Sequence, residues 1–446
     1  MAVSMNSVAT ISSPGRITKE DNKLRPEDRP AHDWYRFVLS FPPHFVREYL
    51  ERFEVRPNQL VLDPFCGTGT TLVECKKQGR PSAGIEANPI ACFASKVKVD
   101  WGIRPEGLLK YARQIAEETL SKLEASGIED EPRPPLFRTS RKGSPQLRSL
   151  PLETSKLLLS GSISDLPLHK CLTLLAVLDE RKGSRFAGHA RLALAKALVS
   201  QISNLEFGPE VGVGPPKADT AVVKPWLTCV ESMAEDLKLL RDKQSVPVAV
   251  YQSDSRSLSK ILQSKSVDVV ITSPPYPNEK DYTRTTRLES VLLGLIRTKL
   301  DLRSLKSDLV RSNTRNVFKY DRDDEIVANH PDVQRIANAI EARRKDLGKT
   351  SGFERLYARV TRLYFGGMAR HLAGLRSLLR PGAKLAYVVG DQASYLRVMI
   401  RTGQLLADIA ASLGYEVLAI DLFRTRLATA TREQLREEVV VLRWPG

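Results

Sequence analysis

Two short stretches place chemically capable residues at the ends of apolar runs. In "VLDPFCGTGTT" (residues 61–71), Asp63 closes an apolar run, Gly67 and Gly69 follow, and Thr70 opens a helical pattern. Glycine lets the backbone turn sharply and approach a ligand closely, and the first N–H groups of a helix then face that ligand. Glu86 stands at the tip of the next apolar run, "SAGIE", where an acid accepts hydrogen bonds from ribose hydroxyls. The third glycine of the dinucleotide signature is missing, and no G-K-[ST] follows the pair, so a nucleoside without phosphate fits better than NAD or a nucleoside triphosphate. The bland alternative, a G-x-G turn that only joins strand to helix, does not account for the two acids beside it. The second stretch is "SVDVVITSPPY" (residues 266–276), in which a strand pattern leaves through Ser273, Pro274 and Pro275 and meets Tyr276. Proline removes a backbone donor and stiffens the chain, so this elbow is rigid, whether it is a plain strand-end turn or a working corner.

The surrounding pattern supplies the elements that must hold these residues. A helix begins after Pro42-Pro43, and the two strand tips with their following helices form a βαβ unit, hence a parallel sheet with right-handed crossovers. Residues 1–30 read as a loose polar tail, 31–101 as the cofactor-binding part, and 102–246 as a helical insertion interrupted by loops, "FGPEVGVGPP" among them. Residues 247–283 return to strands, 284–352 are charged and irregular, and 353–446 complete the sheet. In that last part a long helix stops at Pro381-Gly382, before the strand "KLAYVVGD".

The chain of 446 residues carries 68 basic and 52 acidic residues, a formal charge of +16, which suits a polyanionic partner such as nucleic acid. Cys66, Cys75, Cys92, Cys171 and Cys229 form no C-x-x-C pair and no cluster with histidine, so neither a metal site nor a disulfide framework is expected. No run of about 18 apolar residues occurs and the N-terminus lacks the form of a signal peptide, so neither a membrane partner nor secretion is expected, and the cytoplasm is the expected location.

D-P-F-C-G-T-G-T-T followed downstream by T-S-P-P-Y resembles the S-adenosylmethionine-dependent methyltransferases that modify exocyclic amino groups of nucleic-acid bases. S-P-P-Y is most similar to the cytosine-N4-specific DNA enzymes, whereas the adenine-N6 enzymes more often carry D-P-P-Y or N-P-P-Y. The resemblance covers roughly residues 32–100, 247–283 and 353–446. It implies a Rossmann-like α/β fold: a mostly parallel, doubly wound sheet with an antiparallel last strand. It also implies S-adenosylmethionine as cofactor, double-stranded DNA as partner and, in a restriction-modification setting, a cognate restriction endonuclease. Position by position, it implies that Asp63 faces the methionine part of the cofactor and Glu86 its ribose. Phe65, Gly67, Gly69 and Thr70 complete the cradle, and Asp254 in "YQSDSR" contacts the adenine amino group.

The chemistry gives the elbow a purpose. The amine of cytosine or adenine is a poor nucleophile, because its lone pair is delocalised into the ring. The Ser273 hydroxyl and the Pro274 carbonyl are placed to accept its hydrogens, and Pro275 keeps that carbonyl still. Tyr276 is placed to stack on the base, which in duplex DNA must first leave the helix. Carbon-5 methylation needs a cysteine nucleophile after proline, and no Pro-Cys pair exists here. "HDWYRFVLSFPPHF" resembles the segment that closes over the cofactor, and "GDQ" at 390–392 is a further candidate for the pocket wall. "DYTRTTRLE" (residues 281–289, across the start of 284–352) and "RSNTRNVFKY" inside it offer arginine and asparagine to base edges, so this insertion is the expected DNA-recognition region. Adenine-N6 methylation of DNA, guanine-N2 methylation of tRNA and a non-catalytic nucleic-acid-binding relic are the competing readings.

Overall fold

The computed structural model describes residues 24–36, 40–131, 146–208, 210–258, 261–427 and 434–446. The tail expected for residues 1–30 lies mostly outside them. Nine strands are found among the described residues: β1 Val61–Asp63, β2 Ser82–Glu86, β3 Leu205–Phe207, β4 Val211–Val213, β5 Val248–Gln252, β6 Val267–Thr272, β7 Leu379–Gly390, β8 Glu416–Leu427 and β9 Gln434–Arg443. Seven of them make one sheet in the order β5-β2-β1-β6-β7-β9-β8. The pairs β5/β2, β2/β1, β1/β6 and β6/β7 are parallel, while β9 runs antiparallel between β7 and β8. This is the doubly wound, mostly parallel sheet of a Rossmann-like methyltransferase fold.

Its strands are apolar on both faces, as a sheet covered on both sides requires. Val61, Val269, Ile271, Ala386, Val388, Val439 and Val441 pack with Phe45, Val46 and Tyr49 of the helix Pro43–Arg52. Their neighbours Leu62, Val270, Leu385, Tyr387, Val440 and Leu442 belong to the opposite core, under the helices Pro331–Asp346, Tyr357–Leu375 and Thr402–Ser412. The alternation is the two-residue period of the pleat. From β1 the chain builds outward through β2 to β5, then starts again on the other side of β1 with β6. The crevice beyond the carboxyl ends of β1 and β6 is therefore the switch point where an open α/β sheet binds ligands.

Residues 102–246 are largely helical, with the helices Pro105–Ala125, Asp165–Glu180, Ala187–Ala197 and Val223–Leu239. They pack around buried Trp226, whose indole N–H donates to the Ala190 carbonyl at 2.8 Å. The same hydrophobic cluster includes Leu72, Val73, Ile90 and Ala94, so these helices extend the core of the cofactor-binding half, and the last of them is the crossover into β5. Two local expectations change. "FGPEVGVGPP" is not a plain loop, because β3 and β4 pair there as an antiparallel hairpin. The break expected at Pro381-Gly382 falls inside β7, which already begins at Leu379, where the register to β6 shifts. Among the described residues no helix is long and apolar enough to cross a membrane, and no group of three or more His, Cys, Asp or Glu could hold a metal ion.

Candidate active site

The glycine turn emerges from β1. Gly69 sits at φ +84° just before the helix Thr70–Lys77, its N–H donates to the Cys66 carbonyl at 2.7 Å, and a Cβ there would lie 2.9 Å from Ser95 Oγ. Left-handed backbone and close helix approach thus both demand glycine. Ser95 Oγ also donates to the Gly67 carbonyl at 2.7 Å and fixes the turn from behind. Glu86 braces it from β2, accepting from the Gly67 N–H at 2.9 Å and the Asn88 N–H at 2.7 Å.

The elbow emerges from β6, next to β1. Ser273 Oγ donates to the Val388 carbonyl of β7 at 3.1 Å. Tyr276 packs against Gly390, where a Cβ would stand 3.0 Å from the ring. The Tyr276 carbonyl in turn accepts from the Asn278 N–H at 2.8 Å. Turn and elbow open into one cavity of about 260 Å³, whose walls include Phe65, Gly67, Thr70 and Glu86 on one side and Ser273, Pro274, Pro275 and Tyr276 on the other.

Other expected residues sit elsewhere. Asp63 is buried, and Thr272 Oγ1 donates to its carboxylate at 2.6 Å and the Phe65 N–H at 3.1 Å. It ties the tips of β1 and β6 together instead of facing the cavity. Asp254 is held by Arg256 (Nη2 to Oδ2, 2.8 Å), while its neighbours Ser253 and Ser255 line the cavity. Of the segment 32–45, Trp34 is core, its indole donating to Asp236 at 2.7 Å, Phe37 lies outside the described residues, and Arg36, Ser40 and Phe41 line the cavity. In "GDQ", Gly390 backs the Tyr276 ring and Asp391 is fully buried against Arg401, so this tripeptide supports the wall without forming it.

In "RSNTRNVFKY", Arg311, Asn313 and Asn316 are at most 2 % exposed, and the Arg311 guanidinium is paired with Asp321 at 2.8 Å. Asn313 Nδ2 donates to the Lys280 carbonyl at 3.1 Å, just beyond the elbow, and side chains so buried cannot also read base edges. In "DYTRTTRLE", Asp281 and Thr283 are buried and Arg287 donates to the carbonyls of Thr283 and Leu157. Tyr282, Asp308, Arg424 and Glu437 line the cavity without having been singled out beforehand. Arg424 and Glu437 are register partners on β8 and β9, a pairing with no local sequence signal.

Burial sets the electrostatics. It pushes Glu86 up to about 7, an effect the N–H donors of Asn88 and Gly67 partly offset, and it pushes Asp63 up to about 6 against the hydroxyl bonds of Thr272 and Thr71. Tyr276 is held well above the usual phenol range, first by burial and then by the charge of Glu437. It stays a neutral ring.

A sequence model of the N6/N4 DNA methylase family matches residues 17–96. The Type II methyltransferase M.BsoBI of Geobacillus stearothermophilus is 25% identical over 94% of this chain and 85% of its own. The Type II methyltransferase M.AvaI of Nostoc sp. is 22% identical over 94% and 87%. Over most of its length the chain is thus similar to Type II methyltransferases. A further relative, the Type II methyltransferase M.MjaII of Methanocaldococcus jannaschii, is 38% identical over 70 residues, 16% of this chain and 13% of its own. Among solved structures, TrmN from Thermus thermophilus aligns with 95% of this chain and 54% of its own at 13% identity, with a TM-score of 0.29, too low to carry weight.

The methyl donor of such an enzyme is S-adenosylmethionine, and the cavity fits it. Thr68 lines the turn and its buried hydroxyl has no protein partner, the helix Thr70–Lys77 starts beside it, and the Glu86 carboxylate has lone pairs beyond the two its N–H donors occupy. If Glu86 accepts the ribose hydroxyls as a carboxylate, its proton must leave first, so affinity rises with pH through about 7. We expect binding of 5′-methylthioadenosine, which has the ribose but no titratable amino-acid group, to strengthen about tenfold between pH 6 and pH 8. Glu86→Gln should flatten that profile in a calorimetric titration, and a flat profile for the native protein would exclude this role.

Proposed function

We propose that this enzyme transfers a methyl group from S-adenosylmethionine to N4 of a cytosine extruded from double-stranded DNA, in the cytoplasm. The observation that carries the reading is the shared cavity, with the glycine turn on one wall and the Ser-Pro-Pro-Tyr corner on the other. S-adenosylmethionine supplies an electrophilic methyl group on a sulfonium. Gly67, Gly69, Thr70, Glu86 and Phe65 would hold it, while Asp63 and Asp254 would act indirectly by fixing β1 to β6 and the Ser253–Ser255 wall. Since the Ser273 hydroxyl donates its own hydrogen to Val388, its lone pairs are left to accept from the target amine. The Pro274 carbonyl is the second acceptor, and Tyr276 stacks on the base. The enzyme works chiefly by positioning. The serine at the head of the corner favours cytosine, and the match to a DNA methylase family favours DNA over tRNA. A restriction endonuclease of the same specificity is the expected companion.

Incubating the enzyme with duplex DNA and labelled S-adenosylmethionine, then separating the nucleosides, tests this directly. N4-methylcytosine is expected, and N6-methyladenine or label confined to tRNA would overturn the assignment.

DNA contact is proposed for the outer face of 284–352, where Arg303, Arg315, Lys319 and Tyr320 are exposed and Tyr320 stacks on Phe318 at 5.2 Å. With a formal charge of +16, binding should weaken steeply with salt, log K falling by about 0.9 per phosphate contact per decade. A filter-binding series in which affinity ignores salt would contradict this.

A further inference from the structure

A neutral amine that gains a methyl group must lose a proton, and the Ser-Pro-Pro-Tyr corner contains no group able to keep one. Serine is an alcohol whose hydrogen is already donated to the Val388 carbonyl, and Tyr276 remains protonated. Three carboxylates line the cavity among the described residues: Glu86, Asp308 and Glu437. Glu86 belongs to the glycine turn, and Asp308 lies by Asp254 at the far wall. Glu437 is on the side of the elbow. A Cβ on Gly390 would stand 3.0 Å from the Tyr276 ring and 3.2 Å from Glu437 Cγ, so ring and acid share one patch of β7. Gly390 is the register partner of Glu437 and lies two residues beyond Val388, roughly 7 Å along the strand from the carbonyl that holds Ser273. Glu437 is 5 % exposed, and the Arg424 Nε–H donates to its carboxylate while the Arg424 guanidinium rests over Phe423. A buried acid placed at a cavity wall and steadied by an arginine has a defined position toward whatever enters.

We propose that Glu437 takes the proton released by the target amine. This rests on the reading above, that the elbow holds the base. As the nitrogen lone pair forms the N–C bond, the C–S electron pair stays on sulfur, and one N–H proton turns from the Pro274 carbonyl to the Glu437 carboxylate, which later returns it to water. Tyr282, held up at about 12 by burial and then by the charges of Glu437 and Glu86, lines the same cavity and remains neutral.

Three measurements test this. In single turnovers, Glu437→Gln should slow methyl transfer by about 10²–10⁴-fold, the range of a positioned proton acceptor. Arg424→Met, which breaks the ion pair but keeps the acid, should stay within about tenfold of the native rate. Equal losses in the two variants would instead mark a structural ion pair and overturn the proposal. Formate should restore part of the rate to Glu437→Ala, and absence of rescue would count against proton acceptance. Independently of turnover, duplexes carrying cytosine or pyrimidin-2-one at the target position, which differ by the exocyclic amine alone, are titrated with S-adenosylhomocysteine present. Glu437→Ala should weaken the cytosine duplex about fivefold or more and leave the other unchanged, a coupling that a general folding defect cannot produce. If the nucleoside product proves to be N6-methyladenine, the same cycle with purine in place of adenine tests Glu437 apart from the cytosine assignment.

Discussion

Ser273→Ala is expected to lower the rate of methyl transfer by about 10²–10³-fold, the usual effect of losing one preorganised hydrogen-bonding group at a reacting centre. The Ser273 hydroxyl is anchored to the Val388 carbonyl at 3.1 Å, so it meets the amine already oriented. Alanine fills nearly the same space, and the fold has little reason to respond. The neighbouring tie between β1 and β6, Thr272 Oγ1 to Asp63 at 2.6 Å, does not involve Ser273. Affinity for S-adenosylhomocysteine should therefore stay within about twofold, and the loss should appear in kcat, as for an interaction made mainly in the transition state. Rapid-quench single turnovers with a labelled donor decide the matter, and a native rate would remove Ser273 from the mechanism.

The place of Ser273 on the cavity was legible in the sequence, and so was that of the facing wall, because each sits in one short contiguous motif at a strand end. The sheet followed from the same logic, since apolar runs ending in an acid, a glycine turn or a proline corner are strand tips. What escaped notice depends on residues distant in sequence. Glu437 meets Arg424 and Gly390 because three strands lie side by side, and nothing local marks an acid on a terminal strand as cavity wall. Arg311 and Asn313 of "RSNTRN" depart from the reading of their types for the opposite reason. Their types suit base edges, but Arg311 has Asp321 and Asn313 has the Lys280 carbonyl, and burial decides their use. The β3–β4 hairpin hid in glycine and proline, where a three-residue strand has too few positions to show alternation.

Asp254 is the most instructive displacement. It stands at the end of β5, where a contact to adenine was expected, yet Arg256 grips its carboxylate from Nε at 3.0 Å and Nη2 at 2.8 Å. The same guanidinium reaches Asp323 at 2.7 Å and the Ser307 carbonyl at 2.9 Å, so one arginine fastens the β5 loop to the 284–352 insertion. The Arg256 side chain is 6% exposed, and its partners Asp254 and Asp323 are 18% and 10% exposed. Removing the arginine leaves Asp254 without its cation and Asp323 with Arg370 alone, both with little water. Arg256→Met is therefore expected to cost about 3–5 kcal/mol, the range for breaking a buried pair on one side. Urea unfolding reads this as a lower midpoint at unchanged slope. Affinity for S-adenosylhomocysteine should fall with it, because Ser253 and Ser255 of the cavity wall sit on the loop that Arg256 holds. Asp254→Asn separates the two views of this acid. If it touched adenine directly, the variant would lose cofactor affinity and keep its stability. If it works through Arg256, both fall together, and an unchanged unfolding midpoint in either variant would dismiss the clamp.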